Sequence, residues 1–517
     1  MEKIMSFLKK NYLVILFWLI ILLAFIVRFY DFNLRWGLGN DDARDIMIAK
    51  EAIARGELPL IGSFSSAGPF VFGPIFYWYL MLCYLILPSF LFAPWLITGI
   101  LGVITVIIFM WCGKKIAGNH FALLVGLFAA TSPQLVARSL ALGQHTFVGF
   151  TTACMLLSFL FFFKKKKLFF AFLIGICIGA GINFHYQALN LLIFLALFLF
   201  IPQLSWKKKI GSFLLAGFGV LLAYSPLLIW DSQQQFANFR NILDYFLIGQ
   251  HRLYVPNSWK LFLFSFLPSY WSFVIGHFSI LAITIMFTVG ITAVIALWKR
   301  KFAISVLLMS VPFTLLILLN RFYKGERSEG YLLYLLPFIL LITCYGLYLL
   351  WQQGKFVVVR RIISVVLGLA LLIGNCISIQ SIIAYRSPIP TFEAAAAELQ
   401  QSYPDKKFAV YDYKGSLSAW NQGLSAILFD RGLIAPNGIP IGVMCYHPDC
   451  PRFPKMIPEN FLYIVDLRSV KNIDELNPLW VKVNPEDMYD DLIGWSKRHE
   501  LKSNFYLDRY LKEKLHF

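Results

Sequence analysis

Residues 12–30 read YLVILFWLIILLAFIVRFY, an apolar run interrupted by a single charge, Arg28. About 20 apolar residues in a helix span the roughly 30 Å hydrocarbon core of a bilayer. The run is longer than the apolar core of a cleaved signal peptide, and no small-residue cleavage site follows it. The sequence therefore predicts a retained first transmembrane helix, with Lys9 and Lys10 before it on the cytoplasmic side.

The composition of the whole chain agrees with this class of protein. Of its 517 residues, 59% are hydrophobic and 14% are charged, which is more apolar surface than one soluble core conceals. We expect a polytopic α-helical membrane protein with about 11–13 transmembrane helices. The further apolar segments are 72–92, 95–112, 120–137, 145–163, 168–186, 188–202, 210–230, 278–298, 302–320, 330–351 and 362–384.

The net charge of +18 lies largely in short basic clusters between these segments. Such clusters are typical of cytoplasmic loops, and their placement argues against nucleic acid as a partner. Their alternation predicts a multi-pass protein of the plasma membrane with a cytoplasmic N-terminus and an extracytoplasmic tail. The clusters are 164–167, 207–209, 299–301 and 355–361.

The alternation fails at one place. Residues 31–71 are expected outside and Lys114 and Lys115 inside, but two apolar segments lie between them, where an odd number is required. Either one segment does not cross fully, or the lysine pair lies outside. We favour a re-entrant or interfacial placement of 72–92, because prolines bracket it.

The chain changes character near residue 385, where apolar runs become short. We therefore predict a membrane domain, residues 1–385, and a small extracytoplasmic α/β domain, residues 386–517, that serves acceptor docking or stability. Its predicted strands are 408–413 and 461–466, and its predicted helices are 391–402 and 417–432.

Two cysteines of the tail, Cys445 and Cys450, flank His447. One pair and one histidine do not supply the four ligands of a structural zinc site, whereas disulfides are common outside the cytoplasm. We predict a Cys445–Cys450 disulfide, with a metal-binding turn as the alternative.

The first outer loop contains GNDDARDIMIAKEAIARGEL at 39–58. Its apolar residues recur at helical spacing, which predicts an amphipathic helix along the outer interface, with Asn40 or Asp41 as its N-cap and Gly56 at its end. The start of this helix presents Asp41 and Asp42 to the mouth of the membrane domain. Acidic residues also stabilise a helix start by themselves, so their spacing alone leaves a purely structural role open.

This loop resembles the first outer loop of the GT-C class of membrane glycosyltransferases. The resemblance is strongest to the aminoarabinose-transferase and protein O-mannosyltransferase branch, glycosyltransferase families 39 and 83. That loop reads Asp-Glu, Arg-Tyr, and then an Ala-Arg-Glu helix that ends in glycine; a Pro-rich entry with a Tyr-Trp pair follows. Asp45 stands here where the family has tyrosine. The corresponding residues are Asp41, Asp42, Arg44, Ala49, Lys50, Glu51, Gly56, Tyr77 and Trp78.

The resemblance implies an inverting transfer of a sugar from a polyprenyl-phosphate donor to a lipid, glycan or protein acceptor on the extracytoplasmic face. Asp41 is then the expected catalytic base, because an attacking hydroxyl loses its proton, and Asp42 is a supporting catalytic group. Since a leaving phosphate requires cations or a metal, Mg or Mn at Asp41 and Asp42 is a further hypothesis. No other cofactor is expected. The expected partners are this donor, membrane lipids and an unidentified acceptor.

Cations on the predicted outer side run against the positive-inside rule. Arg321, Lys324 and Arg327 share one short loop, and Arg138 follows an apolar run. We expect them to bind the donor phosphate, although two glutamates in the same loop also fit an ion-paired surface.

Arg44, Tyr77, His145 and His185 are the expected cavity-lining residues. His145 also fits a plain helix start, and His185, at a hairpin tip, also fits a residue that satisfies backbone groups. Two other functions remain open for the chain: a lipid-linked glycan transporter or ligase, which needs no Asp base, and a membrane anchor for a binding domain. A dozen helices exceed what an anchor requires.

Overall fold

A computed structural model of the chain describes residues 2–65, 67–201, 204–251, 257–298, 304–325, 327–352, 356–413, 421–445, 455–458, 462–469 and 480–493. Within these residues, five helices are long and apolar enough to cross a membrane, or up to seven if each of two bent helix pairs counts as one span. Shorter apolar helices of 10–17 residues accompany them. The expected polytopic helical fold with a small C-terminal sheet domain is confirmed.

The helices before the sheet domain are joined by connections of very different length, from the single residue 118 to the segment 56–74, and several connections contain 3₁₀ turns. They are α1 (Glu2–Phe29), α2 (Asn40–Arg55), α3 (Ile75–Ile86), α4 (Ala93–Ala117), α5 (Asn119–Ala130), α6 (Pro133–Ser139), α7 (Val148–Lys165), α8 (Leu168–Phe184), α9 (Ile193–Leu197), α10 (Trp206–Gln233), α11 (Ala237–Leu247), α12 (Ser258–Leu261), α13 (Leu267–Val274), α14 (Ser279–Trp298), α15 (Ile304–Leu319), α16 (Leu336–Trp351) and α17 (Val357–Ala384).

Small residues let the membrane helices approach closely. α8 packs along α10, and a Cβ added at Gly175 of α8 would lie 1.9 Å from the carbonyl oxygen of Ala216 on α10. Helix association in lipid relies on such close van der Waals packing, because lipid chains are as apolar as the side chains.

The segment expected as one helix at 120–137 is instead two, α5 and α6, bent by 59°. Pro133 opens α6, so α5 does not continue through it. The fully buried Arg28 of α1 donates to the Ala130 carbonyl at 3.2 Å and to Ser139 Oγ at 3.0 Å. Arg28 thus supplies a hydrogen-bond donor to a backbone carbonyl at the bend and connects α1 to both α5 and α6.

The segment expected at 72–92 also differs from a simple span. α3 has only 12 residues, which corresponds to about 18 Å of helix at 1.5 Å per residue. This length is less than the hydrocarbon thickness, so an incomplete crossing at 72–92 remains our prediction.

The C-terminal region is a mixed five-stranded sheet with the strand order β3-β4-β2-β1-β5. β1 pairs with β2 in parallel, and the other pairings are antiparallel. The expected strands at 408–413 and 461–466 correspond to β1 and β4. Cys450 and the side chain of Cys445 lie outside the described residues. The elements are α18 (Ile389–Ser402), β1 (Phe408–Tyr413), α19 (Asn421–Asp430), β2 (Ile439–Cys445), β3 (Lys455–Pro458), β4 (Leu462–Asp466), β5 (Trp480–Val483) and α20 (Pro485–Ile493).

α2 forms as expected but lies in a different environment. Lys50 forms an ion pair with Asp430 of α19, and Arg55 contacts Asp490 of α20 at 2.7 Å. The polar face of α2 therefore contacts the sheet domain at Lys50 and Arg55, rather than lying along an interface over its whole length. Gly39, and not Asn40 or Asp41, is its N-cap, and Gly56 ends it with a φ of 67°.

Candidate active site

A cavity of about 740 Å³ lies where α2 and the loop that follows it meet the ends of the membrane helices. One side of its wall is the start of α2. The remaining wall comes from residues 63–72, from the turns at 141–145 and 185–187, and from side chains of α11 and of the segment 323–331. The cavity thus combines carboxylates with histidine and aromatic side chains, as ligand sites commonly do.

Both acids at the start of α2 line this cavity, but their environments differ. The Asp41 side chain is 83% exposed, and its Oδ1 accepts a hydrogen bond from Arg44 Nη1 at 2.8 Å. Asp42 is partly buried, and its Oδ2 accepts the Gly39 backbone N–H at 3.4 Å. Burial and the nearby Asp45 carboxylate raise the pKa of Asp42 to about 7. Asp41 is thus the open, ion-paired acid, and Asp42 gains and loses its proton near neutral pH.

Asp45, for which the sequence predicted no role, lines the cavity and accepts hydrogen bonds from two neighbouring side chains. It is 4% exposed, and its Oδ1 accepts hydrogen bonds from Arg44 Nε at 2.9 Å and from the Tyr77 hydroxyl at 3.0 Å. Burial raises the pKa of Asp45, and the Arg44 guanidinium opposes that shift. Burial disfavours the charged form of Arg44. The Asp45 and Asp41 carboxylates outweigh this effect and hold the pKa of Arg44 above its usual value.

Of the four residues expected to line the cavity, three lie in its wall: Arg44, His145 and His185. Tyr77 is fully buried and lies behind the wall, where it contacts Asp45 instead of the cavity. The expectation for Tyr77 is therefore corrected, because α3 directs its hydroxyl toward α2.

The two histidines of the cavity wall contact residues outside α2. His145 Nε2 lies 2.9 Å from Arg138 Nη1. The His185 ring stacks between Phe72, with a centroid distance of 5.2 Å, and Tyr331, at 4.8 Å. His185 therefore belongs to an aromatic wall.

Part of the wall is a hairpin in the loop between α2 and α3, which sequence analysis missed. Phe64 and Val71 form an antiparallel bridge. Asn238 Oδ1 accepts the Val71 N–H at 2.9 Å, and Asn241 Nδ2 donates to the Pro69 carbonyl at 2.8 Å. The serine-rich sequence of this segment gave no strand pattern, so α11 determines its shape.

The cations expected to bind phosphate lie near the cavity rather than in its wall. The loop that carries Arg321, Lys324 and Arg327 contributes Tyr323, Ser328 and Tyr331 to the lining. Arg327 Nη2 donates to the Tyr323 carbonyl at 2.8 Å, while its guanidinium lies 4.5 Å from the Phe262 ring centroid. Arg321 is exposed and Lys324 is partly exposed.

Two of these arginines retain unused donors. The buried Nε and Nη1 of Arg327 and the buried Nε of Arg138 have no hydrogen-bond partner in the part of the chain that the structure describes. Buried donors of charged groups are costly to leave unpaired, so these atoms are the candidates for a contact with an anion.

The metal hypothesis depends on Asp41 and Asp42 alone. Among the described residues, no three His, Cys, Asp or Glu side chains are grouped to hold a metal ion. Two carboxylates nevertheless suit Mg²⁺ or Mn²⁺, because Mg²⁺ commonly binds one or two carboxylates together with water and substrate phosphates.

Comparison with known proteins identifies the architecture. Residues 69–230 match the sequence model of the dolichyl-phosphate-mannose-protein mannosyltransferase family. Structures of ArnT from Cupriavidus metallidurans superpose with TM-scores of 0.57 without ligand and 0.56 with undecaprenyl phosphate. The chain has the GT-C glycosyltransferase fold. The GT-C fold that the resemblance of residues 39–58 implied is thus confirmed.

The similarity of this GT-C chain to solved structures is one of fold rather than of sequence. ArnT is 11–12% identical, over 88% of this chain and 98% of that one. Archaeal oligosaccharyltransferase AglB from Archaeoglobus fulgidus, in complex with an inhibitory peptide and a dolichol-phosphate, is 13% identical with a TM-score of 0.55. The match covers 84% of this chain and 64% of the AglB chain. Comparison with curated proteins finds no match.

Proposed function

We propose that this GT-C protein is an inverting glycosyltransferase that moves a sugar from a polyprenyl-phosphate donor to an acceptor on the extracytoplasmic face of the plasma membrane. The observation that supports it most is the position of Asp41. An exposed carboxylate, held by Arg44 at 2.8 Å, faces a cavity of about 740 Å³ in this fold. That cavity is large enough for a sugar and part of its acceptor.

The proposed step is a single displacement at the sugar's C1. The acceptor hydroxyl oxygen forms a bond to C1 while the C1–O bond to phosphate breaks. Asp41 takes the hydroxyl proton, and the polyprenyl phosphate leaves with the bonding electron pair. Attack opposite the leaving group inverts C1. Asp42 supports this arrangement beside Asp41.

Arg327 and Arg138 are the strongest candidates to bind the donor phosphate, because each has a buried N–H without a partner among the described residues. The loop of Arg327 reaches the environment of Arg138, since Gly330 packs against His145 and His145 lies 2.9 Å from Arg138. Lys324 and Arg321 would add positive charge at longer range.

A divalent ion is a further element of the proposal. Asp41 and Asp42 would hold Mg²⁺ or Mn²⁺, and the ion would offset charge that develops on the leaving phosphate. A further structure of the archaeal oligosaccharyltransferase was solved in complex with Zn and sulfate, at 14% identity and a TM-score of 0.52. Binding is testable without turnover, as a metal-dependent rise in the melting temperature that Asp41→Asn and Asp42→Asn reduce.

The donor class is supported by the lipids seen in the neighbours. The ArnT structure contains undecaprenyl phosphate, and the AglB structure contains a dolichol-phosphate and a peptide. We extend to this chain the class that these lipids share, a polyprenyl phosphate.

The test is an in vitro transfer assay of the purified protein with radiolabelled polyprenyl-phosphate sugars and extracted membrane acceptors. Asp41→Asn should lower turnover about 10²- to 10⁴-fold, the usual cost of removing a general base, while donor binding stays near normal. Asp405→Asn, on an exposed turn of the sheet domain, is the matched control. Near-normal turnover in Asp41→Asn would contradict the mechanism and favour a ligase that needs no Asp base.

A further inference from the structure

We propose that Asp45 and Tyr77 are positioning residues that hold Arg44, and through it the Asp41 carboxylate, in the orientation required for transfer. This inference rests on the proposed function, because it assigns Asp41 the role of base. Neither residue is required to touch substrate.

The geometry is a continuous series of contacts. The Tyr77 hydroxyl of α3 donates to Asp45 Oδ1 at 3.0 Å. Arg44 contacts the same carboxylate with Nε and Nη2, each at 2.9 Å, and it contacts Asp41 Oδ1 with Nη1 at 2.8 Å. One guanidinium therefore bridges a buried acid and an exposed one.

Burial shows which end of the series is fixed. The Asp45 side chain is 6% exposed, and that of Asp41 is 83% exposed. An exposed ion pair is weak, since it must order two flexible side chains in water, so the Arg44–Asp41 contact alone would leave Asp41 loosely held. Asp45 fixes the orientation of the Arg44 guanidinium. Because that group is planar, holding Nε and Nη2 on Asp45 also determines the direction in which Nη1 points toward Asp41.

Tyr77 completes the arrangement from a different element. Its hydroxyl connects α3 to α2 and occupies a lone pair of the buried Asp45 carboxylate, which would otherwise be costly to keep charged. A residue of α3 thus helps to determine the orientation of the Arg44 guanidinium on α2.

The first experiment compares Tyr77→Phe with Tyr79→Phe in the transfer assay. Both changes remove one hydroxyl from α3, but the Tyr79 hydroxyl donates to the Pro94 carbonyl at 2.9 Å, away from Asp45. We expect Tyr77→Phe to lower kcat about 10-fold, as loss of an outer partner commonly does, with the KM for donor unchanged. Tyr79→Phe should leave both near the wild-type values.

The second experiment asks whether Asp45 acts through Asp41. Asp45→Asn should lower kcat by about 10- to 100-fold in the wild-type background and by less than about 2-fold in the Asp41→Asn background, because residues that act as a unit are not additive. Asp45→Glu should recover part of the loss. An equal loss in both backgrounds would show that Asp45 only stabilises the fold and would overturn the inference.

The third measurement does not depend on activity. Phenylglyoxal modifies accessible arginines, and peptide mass spectrometry reports the rate at Arg44. We expect slow modification in the wild type and in Tyr79→Phe, and at least several-fold faster modification in Asp45→Asn and Tyr77→Phe. If no donor supports transfer but Arg44 is still protected by Asp45, the proposed function fails and the positioning stands. Equal rates in all four proteins would overturn the positioning.

Discussion

Two adjacent acids at the start of α2 show how strongly environment changes one residue type. Asp41 is solvated and paired with Arg44, whereas Asp42 lies where burial and Asp45 raise its pKa to about 7. An acid whose folded pKa lies above its unfolded value of 3.8 binds a proton more tightly in the folded state. Its contribution to stability is complete below pH 3.8, declines as the pH rises toward 7, and is lost above it.

Asp42→Asn should therefore change the pH dependence of stability. The neutral amide carries no cost of ionisation, so we expect the melting temperature of the variant, relative to the wild type, to be higher at pH 8 than at pH 4.5. Thermal unfolding in detergent at the two pH values measures this difference. Asp405→Asn, an exposed control, should show the same offset at both values; an Asp42→Asn offset independent of pH would contradict the assigned environment.

At the scale of elements, the segment 321–331 serves the cavity in two ways. Its tyrosines and Ser328 line the wall, while Arg327 lies behind them with unpaired N–H groups in the described part of the chain. A charge-assisted hydrogen bond contributes about 1.5–3 kcal/mol, which corresponds to about 10- to 150-fold in affinity.

Neutralising the cations of this segment should therefore raise the KM for the donor. We expect about a 10-fold increase or more for Arg327→Gln, a smaller increase for Lys324→Gln, and the smallest for the exposed Arg321→Gln. Steady-state kinetics with a polyprenyl-phosphate sugar measure the change. Unchanged donor kinetics after all three substitutions would mean that the loop is only a solvated surface.

At the scale of the whole molecule, the sheet domain rests on the helix that carries the candidate base. Asn40 Oδ1 accepts the Gln422 N–H at 3.0 Å, and Arg55 contacts Asp490. If α2 lies on the extracytoplasmic side of the membrane, the sheet domain must lie on that side too. This agrees with the alternation of basic loops.

An impermeant maleimide applied to intact cells after mild reduction should therefore label Cys445 or Cys450, as peptide mapping would show. Labelling only after lysis would refute the orientation. The same peptides, analysed without reduction, test the predicted disulfide: two free thiols or a bound zinc would count against it. The six cysteines of the apolar segments, such as Cys83 and Cys112, should stay unlabelled because they lie among the membrane helices.

The sequence by itself determined the membrane class, the approximate positions of the helices, the change to an α/β domain, and the helix that ends at Gly56. These depend on apolar run length, local periodicity and backbone preference, which neighbouring residues encode. The resemblance of the loop at 39–58 was enough to indicate the GT-C class.

Only the tertiary structure decided how the site is assembled. Asp45 and Tyr77 are separated by 32 positions, and no local pattern specifies that their side chains meet. The bend at Pro133, the hairpin at 62–72 and the contacts of α2 with α19 and α20 likewise arise from packing between distant segments. The same holds for the proton affinity of Asp42, because a carboxylate's pKa depends on the water and charge around it, and folding alone determines those surroundings.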